Sequence, residues 1–266
     1  MDKGISSNSK KIRLNDHIFV AGARGMVGSS ICRALKSSGY CNIREGGQLL
    51  APNRKELDLS NFDHVNRWFK ENKPNITILA AAKVGGIYAN DTEPANYLLE
   101  NLKIQNNIIE ASFNSGVRRL LFLGSSCIYP KFASQPIKEE ELLSSKLEET
   151  NQWYAIAKIT GIKLCQAFRL QHNFDAISLM PTNLYGPGDN YNGKKSHVIP
   201  ALIKKFHQAV NNSESRVECW GSGNPRREFL HADDLGNASV FALENWDPSS
   251  ANSPKDMNGN NLAYLN

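Results

Sequence analysis

Tyr154 and Lys158 stand four residues apart in the run Tyr154-Ala155-Ile156-Ala157-Lys158. On an α-helix that spacing puts both side chains on one face, with Cβ atoms about 5–6 Å apart. A free phenol titrates near ~10 and is a poor acid–base group at neutral pH. A nearby ammonium favours the phenolate and lowers that value. The pair is therefore expected to give or take a proton at a substrate oxygen. Taken alone, the spacing describes a solvated helix face more often than a site. The stretches that precede it change the balance.

Two of these carry chemistry of their own. His17 to Ala21 is a β-branched and aromatic run that leads into Gly22-Ala23-Arg24-Gly25-Met26-Val27-Gly28, and an amphipathic stretch follows to Ser38. Strand, glycine turn and helix in that order bring backbone N–H groups to a pyrophosphate at a helix N-terminus. The spacing is G-x-x-G-x-x-G, so the turn reads either as a dinucleotide cradle or as a tight strand–helix connection. Further on, Arg119 to Leu123 is a strand that ends in Gly124-Ser125-Ser126-Cys127. Two hydroxyls and a thiol at a strand end meet a substrate or fill a turn and the core.

The elements that must hold these groups alternate. Strands are expected at 17–21, Gln48 to Ala51, Ile76 to Ala82, 119–123 and Asp175 to Leu179, and helices at 27–38, Asn61 to Glu71, Pro94 to Ser115 and from about Asn151 to His172. Such alternation predicts an α/β, Rossmann-type, doubly wound parallel sheet. Thr150 or Asn151 is the expected cap of the helix with Tyr154. A nicotinamide adenine dinucleotide site usually has a carboxylate at the end of the second strand, for the ribose hydroxyls. Here that strand runs into Ala51-Pro52-Asn53-Arg54. Arg24 and Arg54 would welcome a 2′-phosphate, or are simply solvated; the first reading favours NADP over NAD. Asp58 either accepts from an adenine amino group or caps the helix after it. Lys83-Val84-Gly85-Gly86 is a loop at a strand's C-terminal end, where ligands sit in open α/β sheets.

Beyond Asn190 the rhythm changes. Ser196-His197 precedes a helix over Ala201 to Val210, Val217 to Trp220 is a strand candidate, and Asp233 or Asp234 caps a helix to Glu244. The division expected is a flexible tail over 1–16 and an NADP-binding domain over 17–185, with returning elements near 228–244. A smaller, C-terminally incomplete substrate domain would hold 186–227 and 245–266.

Composition excludes several classes. The net charge of +5 is spread among acidic residues, with no basic block of the kind nucleic-acid proteins concentrate in one patch. No apolar run approaches the ~18–20 residues of a membrane span. The five cysteines have no C-x-x-C pair, which argues against a zinc site or a disulfide frame and for a reducing, cytoplasmic setting. No metal is expected.

The ordered set of glycine turn, strand-end serine and Tyr-x-x-x-Lys helix resembles the extended short-chain dehydrogenase/reductase family. The strings GARGMVG (22–28), AAAKVGGI (80–87), LGSSCIYP (123–130), YAIAKITGIKLC (154–165), MPTNLYGP (180–187), SHVIPALI (196–203) and WGSGNPRREFLHADD (220–234) are similar to its branch acting on GDP-4-keto-6-deoxy-D-mannose. The resemblance implies C3/C5 epimerisation followed by NADPH-dependent reduction at C4. It implies catalytic roles for Ser125, Tyr154 and Lys158, and an epimerising acid–base pair of Cys127 and His197. The residues implied to hold NADP(H) are Gly22, Ala23, Arg24, Gly25, Met26, Val27 and Gly28, then Leu123, Gly124, Ser125 and Ser126. Lys158, His197 and the segment Pro181, Thr182, Asn183 and Leu184 complete that set. Lys205, Trp220 and Arg227 are implied to hold the GDP-sugar. Without the resemblance, His197 reads as structural, Cys127 as a small core residue and Trp220 as core or a base-stacking ring. The family also implies a homodimer through helices at about 97–115 and 152–170. Its sequences run on past the position matching Asn266 with further substrate-domain elements. Alternatives are an impaired or non-catalytic NADP-binding member, or another nucleotide-sugar epimerase or dehydratase.

Overall fold

Strands β1 (His17–Ala21), β2 (Gln48–Leu50), β3 (Ile76–Leu79), β4 (Arg119–Leu123) and β5 (Asp175–Leu179) form where short apolar runs are bounded by turn residues. The computed structural model describes residues 10–192, 196–219 and 221–266, with the side chains of 87–89 outside the description. A two-stranded parallel pair joins β6 (Asn183–Tyr185) to β7 (Phe229–His231). With β8 (Tyr264–Leu265) the main sheet has six parallel strands in the order β2-β1-β3-β4-β5-β8.

Side chains alternate across this sheet, as the strand period of two requires. Phe19, Leu120 and Phe122 face one apolar cluster with Val65, Phe69, Ile108 and Ile162. Ile18, Val20, Leu121 and Leu123 face another with Ile31, Leu35, Val240 and Leu243. The first cluster lies under helices α2 (Phe62–Asn72), α4 (Pro94–Asn114) and α5 (Gln152–His172). The second lies under α1 (Met26–Ser37) and α7 (Ala232–Asn245), which pack on each other. Short α3 (Ile87–Thr92) precedes α4, and α6 (Val198–Asn211) belongs to the segment after β6. The result is the layered, doubly wound sheet the alternation predicts.

Several local expectations need correction. Residues 10–16 are not a loose tail: Ile12 is buried with the second cluster, Lys11 pairs with Asp247 at 2.7 Å, and Asp16 with Arg118 at 2.5 Å. Two apolar residues, Ile12 and Leu14, among polar neighbours give too weak a pattern to announce that anchor. The rest of the expected tail, 1–9, lies outside the described residues. The C-terminal stretch assigned to a substrate domain ends instead as β8, paired with β5 through Ser178↔Tyr264 and Leu179↔Leu265. Residues 217–219 form no strand, and Trp220 lies outside the described residues. Asn61, not Asp58, caps α2 by accepting from His64 N at 2.9 Å. His231 caps α7 through a bond from Asp233 N at 3.2 Å, leaving Asp233 and Asp234 in the first turn, where carboxylates suit the helix dipole. Asn151 holds the cap position of α5 but makes no side-chain cap bond.

Candidate active site

The strand order reverses between β1 and β3, and the crevice outside their carboxyl ends is where such sheets take ligands. β1 ends at Ala21, and the chain turns at Gly22 with φ +83°, closed by a bond from Gly25 N to Gly22 O at 2.9 Å. A Cβ on Gly22 would stand 2.9 Å from Ala81 Cα, and one on Gly28 only 2.1 Å from Gly22 O. Side chains are thus excluded from the turn, and its backbone meets the loop after β3 directly. α1 begins at Met26 with no acidic residue in its first turn, so its free N–H groups present an unopposed anion site.

Above the turn lies a cleft of about 830 Å³. Its walls are 22–28, Pro52 to Arg54, Leu57 to Ser60, Ala80 to Gly85, Glu100, Ile104, Gly188 to Asn190 and His197. Arg24 and Arg54 both reach it and both are exposed. Asp58 lines it as well. Ser60 holds its carboxyl below the usual range, through the hydroxyl at 2.7 Å and the backbone N–H at 3.0 Å.

Beside the cleft, α5 lies against the exit of β4. Lys158 is buried, and its Nζ donates to the Leu123 carbonyl at 2.7 Å. That ammonium sits 4.9 Å from the Phe122 ring centre and 5.8 Å from that of Tyr154. Ser125 starts a short 3₁₀ turn over Ser126–Ile128, and its Oγ accepts from Cys127 N at 3.4 Å. Gly124 N bonds to Leu179 O at 2.8 Å and Ser126 N to Pro181 O at 3.0 Å. The backbone at the strand end is therefore tied to β5 and to Pro181. The segment Pro181 to Leu184 is fixed in turn by Thr182 Oγ1 and Asn183 Nδ2, which donate to Glu228 O at 3.1 and 3.0 Å.

The electrostatics reverse one sequence expectation. Burial pushes the Tyr154 phenol well above its ordinary value, and the neighbouring Cys127 adds to the rise. Burial likewise takes Lys158 down to about 8. Both groups lie beside the exit of β4, where loss of water penalises each charged form. Lys158 also points at a backbone carbonyl. It therefore fails to lower the phenol, and Tyr154 stands as a neutral proton donor. Cys127 is pushed to about 11 by burial, against the pull of Ser125, Lys158 and Asn151. It is a thiol at neutral pH, without the few per cent of thiolate that its unperturbed value near ~8.5 allows.

Ser125, Cys127, Tyr154 and Lys158 thus form one group. His197 does not join it: it holds the cap position of α6 without a side-chain cap bond, is exposed, and lines the cleft. Among the described residues no hydrogen bond or ion pair links it to Cys127. Lys205 on α6 donates to Glu218 O at 2.8 Å, and Arg227 is exposed and bonds Arg226 O at 2.7 Å. These two stand in segments apart from the Tyr154 group. Three residues of α4 were missed. Asn101 takes Lys83 N at 2.8 Å and donates to Lys83 O at 3.0 Å, Gln105 donates to Ala157 O at 2.7 Å, and Glu100 lines the cleft. Polar side chains at 101 and 105 on the same stripe as buried Tyr97 and Ile108 were the available signal.

Residues 18–258 match the NAD dependent epimerase/dehydratase family, and the chain belongs to that family. Within it, the chain is similar to GDP-L-fucose synthase 1 of Arabidopsis thaliana, 54% identical over 242 residues, 91% of this chain and 72% of that protein. It is also similar to the GDP-L-fucose synthase of Escherichia coli (strain K12), 50% identical over 227 residues, 85% of this chain and 69% of that one. Among solved structures, a GDP-L-fucose synthetase from Naegleria fowleri bound to NADP matches with a TM-score of 0.80 at 28% identity. That match covers 90% of this chain and 77% of the other. No helix among the described residues is long and apolar enough to cross a membrane. Among the described residues no group of three His, Cys, Asp or Glu is placed to hold a metal ion.

Proposed function

We propose that this chain converts GDP-4-keto-6-deoxy-D-mannose to GDP-L-fucose, by epimerisation at C3 and C5 and NADPH-dependent reduction at C4. The observation that carries this is the grouping of a thiol, Cys127, with the hydroxyl of Ser125, the phenol of Tyr154 and the ammonium of Lys158. A simple hydride-transfer site needs no thiol there. Identities of 54% and 50% to GDP-L-fucose synthases support the same reading.

The cleft fits NADP(H). Its floor is backbone that a Cβ at Gly22 or Gly28 would fill, an uncapped helix end meets the pyrophosphate, and Arg24 and Arg54 suit the 2′-phosphate. When bound, NADPH supplies the hydride for C4. Leu123 to Ser126, Pro181 to Leu184, Lys158 and His197 complete its surroundings.

A 4-ketone makes the C3 and C5 protons acidic, because the carbanion spreads onto the ketone oxygen. Ser125 and Tyr154 hydrogen-bond that oxygen and stabilise its developing charge. Cys127, held as a thiol, delivers a proton to one face of the ring carbon. His197 takes one from the other, once substrate spans the distance between them. Tyr154 then protonates the C4 oxygen during reduction, from the neutral phenol that its raised pKa maintains. Lys205, Trp220 and Arg227 hold the GDP-sugar.

Residues 17–185 with 228–244 serve as the NADP-binding part, and 186–227 belong to the substrate side. Exposed Leu99 on α4 and Trp153 and Ile156 on α5 support a homodimer through these helices. Five free cysteines support a cytoplasmic setting. Neither nucleic acid nor a membrane is a partner in this reading. The test is consumption of NADPH with purified chain and either GDP-4-keto-6-deoxy-D-mannose or the matching UDP-4-keto sugar. Oxidation is expected with the GDP compound alone; equal rates with both would overturn the substrate assignment.

A further inference from the structure

NAD-binding members of this fold place a carboxylate at the end of the second strand, and β2 here ends without one. The fold supplies a carboxylate from another element. Glu100, in the second turn of α4, lines the cofactor cleft together with Arg54 and Lys83. Its Oε1 stands 3.7 Å from Arg54 Nη2 and its Oε2 3.4 Å from Lys83 Nζ. Lys83 pairs on its other side with Glu93 at 3.5 Å, and Glu93 is not part of the cleft wall.

We propose that Glu100 is a specificity-determining residue, which moderates the preference for a dinucleotide bearing a 2′-phosphate by competing with that phosphate for Arg54. This rests on the NADP(H) reading of the cleft. Arg54 has 84% of its side chain exposed, so its pair with Glu100 is weak and the guanidinium is free to turn to a ligand. A phosphate monoester carries about −1.5 to −2 charges at neutral pH. Glu100 both repels that charge and offers Arg54 another partner. A dinucleotide with a plain ribose feels neither effect. The carboxylate therefore weakens binding of the phosphorylated form selectively, and less so at high salt, where exposed charges are screened.

The alternative use of the same carboxylate is to accept from ribose hydroxyls, which would favour the unphosphorylated cofactor directly. Fluorescence titration of NADPH and NADH into the wild type, Glu100→Gln and Glu93→Gln at low salt separates the two. Glu100→Gln is expected to bind NADPH on the order of three- to tenfold more tightly while NADH stays within about twofold. Glu93→Gln removes the same charge without touching Arg54, and is expected to leave the NADPH-to-NADH ratio within about twofold. An equal shift for both cofactors, no shift for NADPH, a loss of NADH affinity, or an equal response in Glu93→Gln would each overturn the proposal. Tight NADPH binding by the wild type with an unmoved ratio in Glu100→Gln removes this inference alone. A wild type that binds both dinucleotides equally removes the cofactor reading with it.

Discussion

Tyr154→Phe is expected to lower NADPH oxidation with the keto-sugar by about 10²–10⁴, the range a positioned proton-transfer group contributes. The substitution removes one oxygen and keeps the ring. The ring's packing beside Lys158, 5.8 Å from its Nζ, is retained, and so is the bond from Lys158 to Leu123 O at 2.7 Å. Stability is expected to change by no more than about 1 kcal/mol, the usual net worth of one hydrogen-bonding group. NADPH binding is expected to hold, because the glycine turn and α1 are untouched. A variant that turns over at the wild-type rate would remove the phenol from the reaction.

Cys127→Ser is expected to suppress inversion at C3 and C5, read as epimerised product, by a similar factor of about 10²–10⁴. NADPH should still bind, since Cys127 lies outside the cleft lining. The thiol's raised pKa favours the protonated form as the one that works. Burial holds Cys127 protonated up to about 11, so as a donor it stays competent through neutral and mildly alkaline pH. Wild-type exchange is expected to be flat from pH 7 to 9 on the alkaline side. A tenfold rise per pH unit over that interval would mean that the thiolate is the working species. The same shift acts on stability. A thiol whose folded pKa is raised from 9.0 to about 11 stabilises the fold below the lower value, and that contribution is lost as pH rises through the higher one.

The sheet was legible where a strand is a continuous apolar run. β4 and β5 fall on their expected bounds, because Arg-Leu-Leu-Phe-Leu and Asp-Ala-Ile-Ser-Leu are buried on both faces. β6 and β7 were not anticipated. Each has three residues, partly exposed, beside Pro and Gly turns, and their pairing depends on segments 46 residues apart. The position of the site could be read from order alone: a glycine turn after β1, a serine after β4 and the tyrosine–lysine helix before β5.

The site's electrostatics were not legible. Spacing along a helix reports that Lys158 and Tyr154 are neighbours. It does not report that desolvation outweighs their mutual effect, or that Lys158 turns to a carbonyl of β4. Glu100 and Asn101 were hidden for a related reason. A polar side chain on an amphipathic helix looks the same in sequence whether it meets solvent or a loop from the next strand. Their partners, Arg54 and Lys83, follow β2 and β3 and come within reach only when the sheet is assembled.

In the proposed mechanism a single phenol stabilises the ketone oxygen in two successive reactions. The most direct test of that role is proton NMR of the sugar after reaction in D₂O, with wild type and Tyr154→Phe run side by side. The wild type is expected to yield product with deuterium at C3 and C5 and protium from NADPH at C4. Tyr154→Phe is expected to lose exchange and reduction together. Deuterium uptake at the full wild-type rate in a variant that no longer reduces C4 would contradict the shared role.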